Sequence, residues 1–201
     1  MTPYDFLVET YETEILKVLG VWSMFDDADC NNRPRTDDHR ARNLHEHMVH
    51  QCVSENIWFS EMLDIHVSES PLPDPETRIG FIKQYARDAT ARLKALRLKD
   101  ETWWKTETGF FDTRRSRAWI MVRRIAHTAH HRGQQTTLLR VFNRDLHSTY
   151  GPTADTGGLM QHHAPVVYAY PDLDRLLQEE SCDRTKAMLP GVGEQPSTER
   201  P

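Results

Sequence analysis

The feature that most constrains this chain is a spacing of apolar side chains by three and four that recurs in four separate stretches. Tyr4, Leu7, Tyr11, Ile15, Val18 and Trp22 follow it, so residues from about Thr2 to Phe25 are expected to form an amphipathic helix with one buried stripe. Thr2 ahead of Pro3 reads as an N-cap with proline in the first turn, where a missing N–H costs nothing. The Asp-, Asn- and Pro-rich run DDADCNNRPRTDD is a loop. A second helix then starts near Asp37 or Asp38 and reaches about Leu63, with Leu44, Met48, Val53, Ile57 and Leu63 turned inward. Asp74-Pro75-Glu76 gives the cap and first turn of a third helix, whose stripe is Ile79, Ile82, Tyr85, Ala89, Leu93 and Leu96. A fourth runs from Asp112 or Thr113 to about Phe142, carrying Ala118, Met121, Val122, Ile125, Ala129, Leu138 and Leu139. No succession of alternating apolar and polar strands appears, which leaves an all-α chain. Four such helices bury their stripes against one another, so a four-helix bundle is expected over residues 1–150. Residues 151–201 form a long, partly irregular C-terminal extension: turn-rich GPTADTGGL, one short helix in PDLDRLLQEE and a disordered PGVGEQPSTERP.

Composition narrows the function classes. The chain has 201 residues, enough for one domain with trimmings. No apolar run reaches the roughly 18 residues a membrane-spanning helix needs, and the N-terminus lacks the basic and apolar regions of a secretory signal. Three widely separated cysteines, Cys30, Cys52 and Cys182, argue against a disulfide framework and for a reducing cytoplasm. With 25 Lys and Arg against 30 Asp and Glu the net charge is −5, which disfavours general nucleic-acid binding. Histidine stands out, at 11 residues.

Those histidines cluster on two helices. His127 and His131 are four apart, one helical turn, so their rings can converge on one cation, and Ile120 and Leu138, seven residues to either side, place them on an inward face. The second helix carries His45, His47 and His50. His50 shares a stripe with Val53 and Ile57 and is the best placed to meet the pair, with His47 as the alternative on the same side. Two nitrogens from one helix and a third from another would leave a fourth coordination position open, the arrangement of catalytic rather than structural metal sites. The plainer reading is a solvated or core histidine pair without metal.

His127-x-x-x-His131-Arg132-Gly133-Gln134 resembles the HxxxHRGQ signature of the DinB/YfiT-like superfamily, a metalloprotein family distinct from the polymerase of that name. His50, with Glu55 five and Trp58 eight residues on, follows the pattern of that family's second helix, and the likeness spans about residues 4–150. Tyr150-Gly151-Pro152-Thr153-Ala154-Asp155-Thr156-Gly157-Gly158 is similar to the tail of one branch. The resemblance implies a four-helix bundle, frequently dimeric, that binds a divalent metal, commonly zinc or nickel, through His50, His127 and His131. Some similar proteins transfer low-molecular-weight thiols such as bacillithiol or glutathione to electrophiles, and others isomerise maleylpyruvate with mycothiol. A thiol S-transferase or hydrolase acting on a small electrophilic molecule is therefore one expectation, and a non-catalytic, metal-binding stress-response protein is the other. His47 and His130, beside the ligand positions, depart from the common pattern.

Further residues carry a chemical and a structural reading side by side. Glu55 can accept an imidazole N–H and fix its tautomer, or join an interhelical ion pair. Arg132, next to His131, can anchor a substrate or pack helices. Eight arginines and no acid lie between Thr113 and Arg144; their expected partners are acidic stretches such as Asp37-Asp38 or Glu179-Glu180 rather than phosphate. Trp58, Trp103, Trp104 and Trp119 read as core or interface aromatics, and Cys52 as a buried structural thiol. Without a Gly-rich phosphate loop, a GxSxG elbow or a CxxC pair, nucleotide hydrolysis, serine hydrolysis and dithiol chemistry lack support.

Overall fold

The computed structural model describes residues 2–199. Its frame is four long helices, α1 (Asp5–Met24), α2 (Leu44–Ile57), α3 (Arg78–Leu96) and, after a short α4 (Glu101–Lys105), α5 (Arg117–Val141). A final helix, α6, spans Leu173–Glu180. α1 packs on both α3 and α5, and α2 closes the bundle against the same two. Leu7, Tyr11, Ile15, Val18 and Trp22 are all buried, as their spacing requires, and Ile82, Tyr85, Ala89, Leu93 and Leu96 meet them from α3. No helix among the described residues is long and apolar enough to cross a membrane.

Helix starts differ from the expectations, each for a local reason. α1 begins at Asp5, whose carboxylate accepts from the Thr2 backbone N–H at 3.1 Å, so Thr2 and Asp5 bracket the first turn with Tyr4 at the cap. Asp37 and Asp38 do not open α2; they pair with Arg35 and Arg40 in the loop. Asn43 is the cap instead: its Oδ1 accepts from the Glu46 N–H at 2.9 Å while Glu46 accepts from the Asn43 N–H at 3.0 Å. α3 starts at Arg78, with the Thr77 hydroxyl accepting from the Gly80 N–H, rather than at Asp74-Pro75-Glu76. The predicted start of the fourth helix at Asp112 or Thr113 is a hairpin: β1 (Glu107–Phe110) pairs antiparallel with β2 (Thr113–Ser116) across Phe111 and Asp112. Ser116 then caps α5 by accepting from the Trp119 N–H at 3.3 Å.

Leu44, Met48 and Leu63 turn inward as expected of the second helix, but Val53 and Ile57 do not. Met48, Cys52, Glu55 and Phe59 are buried, whereas Val53 is half-exposed and Ile57 exposed. The buried stripe contains Gln51 and Glu55, polar side chains that an apolar pattern cannot register. Past Ile57 the helix continues as one π-helical turn, Trp58–Met62, and ends at Leu63.

Residues 151–199 are partly irregular but do not float free. Leu176, Ala169 and Tyr170 are buried against the bundle, and α6 lies against α1 and α3. Arg184 donates to the carbonyls of Ser23 (3.0 Å) and Phe25 (2.6 Å), supplying partners that the end of α1 lacks. Arg78 of α3 reaches Glu180 at 2.5 Å with both side chains inaccessible to water. Of the stretch expected to be disordered, residues 190–199 are described and largely exposed; Arg200 and Pro201 lie outside the described residues.

Candidate metal centre

Three histidines on two helices point their Nε2 atoms at one spot. His50 Nε2 lies 3.0 Å from His131 Nε2, and His131 Nε2 lies 3.1 Å from His127 Nε2. The potential ligand atoms of all three are within 4.8 Å of one another. The helical turn between His127 and His131 sets those two rings edge to face, 4.4 Å apart at 80°, and the α2–α5 packing brings in His50. Nitrogens each about 2.0–2.1 Å from one ion lie about 2.9 Å apart at right-angle coordination and about 3.3 Å apart in a tetrahedron. The observed separations fall between the two, so these residues fit a divalent transition metal.

Their protonation suits the same role. Burial pushes the His127 ring down to about 4, helped by the Arg124 guanidinium and the neighbouring imidazoles. His131 is pushed down to about 3, by burial first and then by His127. His50 is lowered by burial and then by the charges of Arg42 and Arg124. All three are thus neutral at physiological pH, the ligating form. Gln134 Oε1 lies 3.0 Å from His131 Nδ1; by accepting that proton it leaves the Nε2 lone pair free. His127 Nδ1 is buried with no partner.

Of the neighbours singled out from sequence, His47 is buried, with its ring 5.9 Å from that of His131, and burial followed by the Arg42 charge pushes it down to about 4. His130 is exposed and sits beside the Gln134 amide. Neither joins the three-histidine group. Glu55 touches no imidazole: it accepts from the hydroxyls of Tyr11 and Tyr85 and pairs with Arg92. Arg132 is buried against Glu14 of α1 and lies over the Tyr150 ring, which makes it a helix-packing residue. The arginine run divides: Arg124, Arg132, Arg140 and Arg144 pair with Glu55, Glu14, Asp155 and the Asp26/Asp29 pair, not with Asp37-Asp38 or Glu179-Glu180. Cys52 is buried, and burial raises its thiol well above the usual range, so it stays protonated.

Two features of the site were not read from sequence. Trp58, taken for a core or interface residue, stacks on His127 at 5.7 Å and 19°, and the hairpin adds Phe110 and Phe111 to the same aromatic wall. Arg124 is fully buried between this wall and Glu55, holding Thr128 and placing positive charge beside the imidazoles. The available signal was the Trp58-to-His50 spacing; nothing local marked the hairpin.

The model of the DinB family matches residues 17–156. Among solved structures, a DinB-like protein from Bacillus cereus ATCC 10987 superposes with a TM-score of 0.62 at 18% identity, over 72% of this chain and 95% of that one. That likeness is one of fold. No curated protein matches the chain.

Proposed function

The chain belongs to the DinB family, and on that premise we propose that His50, His127 and His131 hold one divalent metal, zinc or nickel, at the centre of a small-molecule enzyme. The observation that carries the reading is the convergence of three neutral Nε2 atoms from two helices, with neither His47 nor His130 closing the set. A cation held there supplies a Lewis acid that acidifies a thiol or water bound at its open side.

The chain's own residues do the rest. Gln134 fixes the His131 tautomer by accepting a hydrogen bond from the Nδ1 N–H. Trp58 covers one face of His127 and, with Phe110 and Phe111, makes a dry wall for the apolar part of an electrophilic substrate. Arg124, held by Thr128 and Glu55, adds to burial in disfavouring the protonated forms of His127 and His50, and places fixed positive charge where an anionic nucleophile would be stabilised. Transfer of a low-molecular-weight thiol to the electrophile is the preferred reaction, with hydrolysis by the same site as its variant. Three free cysteines support a cytoplasmic setting, and the exposed Ile57, Trp119 and Val122 support a homodimer.

The test is metal stoichiometry. Purified protein is expected to carry about one zinc or nickel per chain. His50→Ala, His127→Ala and His131→Ala should each abolish it while helical circular dichroism persists, and His47→Ala should reduce it less than His50→Ala. Metal content unchanged in His131→Ala would refute the assignment.

A further inference from the structure

A cavity of about 180 Å³ lies between α1 and the C-terminal extension, and none of its lining residues belongs to the three-histidine group. α1 contributes Leu16, Lys17 and Gly20. The extension closes over them with Tyr168, Pro171 and, from α6, Leu176. Tyr168 is 45% exposed and Leu16 half-buried, so the cavity reaches solvent between them.

Gly20 is the informative wall. It lies within α1, where no turn requires it, and glycine is the costliest residue after proline in a helix interior. No close approach requires it either: the residue is buried, yet a Cβ built on it would meet nothing within 4 Å. The helix thus gives up stability to leave open a space that alanine would fit. An engineered apolar cavity of about 150 Å³ stays dry and takes up benzene. This one therefore has room for a single substituted ring.

The polar groups on its walls are spent, with one exception. Lys17 Nζ lies 3.4 Å from Glu14 Oε1 and 3.9 Å from the centre of the Tyr150 ring. The Thr13 hydroxyl donates to the Glu9 carbonyl at 3.0 Å, and the Tyr170 hydroxyl to Glu180 at 2.7 Å. No charge is left for an ionic ligand. Ser148, which also lines the cavity, is only 4% exposed. Its Oγ accepts from the Val167 N–H at 3.0 Å, while its own proton has no acceptor among the described residues.

From these observations we infer that the cavity is a binding site for a small, uncharged aromatic molecule carrying one hydrogen-bond acceptor. The ring fills the space beside Gly20, between Leu16 and Leu176, and the acceptor receives the Ser148 hydroxyl. This site is independent of the metal reading, with which it shares no residue.

The experiment is calorimetric titration of the full chain with acetophenone and with α-methylstyrene, the same shape with a methylene in place of the oxygen. Wild type should bind both saturably at one site. Gly20→Leu fills the space and should weaken both by about tenfold or more, the scale on which a pocket senses added methylenes. Gly20→Ala, whose Cβ has room, should weaken both in the same direction while raising the melting temperature. Ser148→Ala should weaken acetophenone about fivefold, the size of one neutral hydrogen bond, and leave α-methylstyrene unchanged. Absence of saturable binding in wild type, or affinities unchanged in both Gly20 variants, would overturn the site. Equal losses of the two ligands in Ser148→Ala would overturn the acceptor requirement.

Discussion

Glu55 stands where all four long helices meet. It extends from α2 to Tyr11 of α1, to Tyr85 and Arg92 of α3 and toward Arg124 of α5, and it is wholly inaccessible to water. The surrounding cations explain why a carboxylate is tolerated there: removing it would strand Arg92 and Arg124 in the interior. Glu55→Ala should therefore cost about 3–5 kcal/mol in urea unfolding, and a loss below about 1 kcal/mol would deny it that role. Its charge also raises the Tyr11 and Tyr85 hydroxyls, after the larger effect of burial, so both remain protonated donors. A second residue-scale expectation concerns pH. His47, His50, His127 and His131 all have folded pKa values depressed below the ordinary imidazole value of about 6.5. The unfolded chain therefore binds protons first as pH falls. In metal-free protein their contribution is complete above about pH 6.5 and declines as pH drops toward the folded values. Melting temperature should fall between pH 6.5 and 5, before the carboxylates titrate, and the slope should flatten in a chain with His50, His127 and His131 all replaced by Gln. An unchanged slope would contradict the depressed values.

At the scale of elements, the caps show what a sequence discloses. Asn43→Ala removes an acceptor in a reciprocal box with Glu46 and should destabilise by about 1–2 kcal/mol, measured by thermal melting. That Asn-x-x-Glu signal was present in the sequence, but Asp37 and Asp38, equally good caps by type, lay upstream and are occupied by arginines. The buried stripes of α1 and α3 were legible because apolar residues recur along each at three- and four-residue steps, even though Glu14, Asp88 and Arg92 are buried beside them. That of α2 was not, because Gln51 and Glu55 occupy core positions that only long-range partners on α1, α3 and α5 make comfortable. The hairpin was illegible for a related reason. Its turn residues, Phe111 and Asp112, lack the Asn-Gly or Asp-Gly pair that announces a two-residue loop, and Phe111 takes a positive φ of 53°. The clustering of His50, His127 and His131 was readable since helical spacing and the family resemblance agreed, whereas the roles of Glu55 and Arg132 depended on which distant helix they would meet.

Across the whole molecule, the C-terminal extension behaves as part of the bundle. Leu176 and Tyr170 bury apolar surface on it, Arg78 depends on Glu180, and Arg184 completes the end of α1. Burial is the largest single influence on the Glu180 carboxyl and pushes it up, but hydrogen bonds from Tyr170 and Arg78 together with the charges of Arg78 and Lys186 outweigh it and hold the group below the usual carboxylate range. Ending the chain at Ala164 should cost about 3–6 kcal/mol, since it removes Tyr170 and Leu176 and uncovers the apolar bundle surface they bury. Ending it at Gly193 should leave melting unchanged, since the remaining described residues are exposed. Equal melting of the two truncations would show that α6 contributes nothing to the bundle. Arg124 with Glu55 and Ser54, and Gln135 with Gln51, tie α5 to α2, and the relation between those two helices decides whether His50 can meet His127 and His131. Anomalous diffraction from crystals of the purified protein, recorded at the zinc and nickel edges, tests this most directly. One peak about 2.0–2.1 Å from the Nε2 atoms of His50, His127 and His131 is expected; a peak elsewhere, or one that leaves out His50, would contradict it.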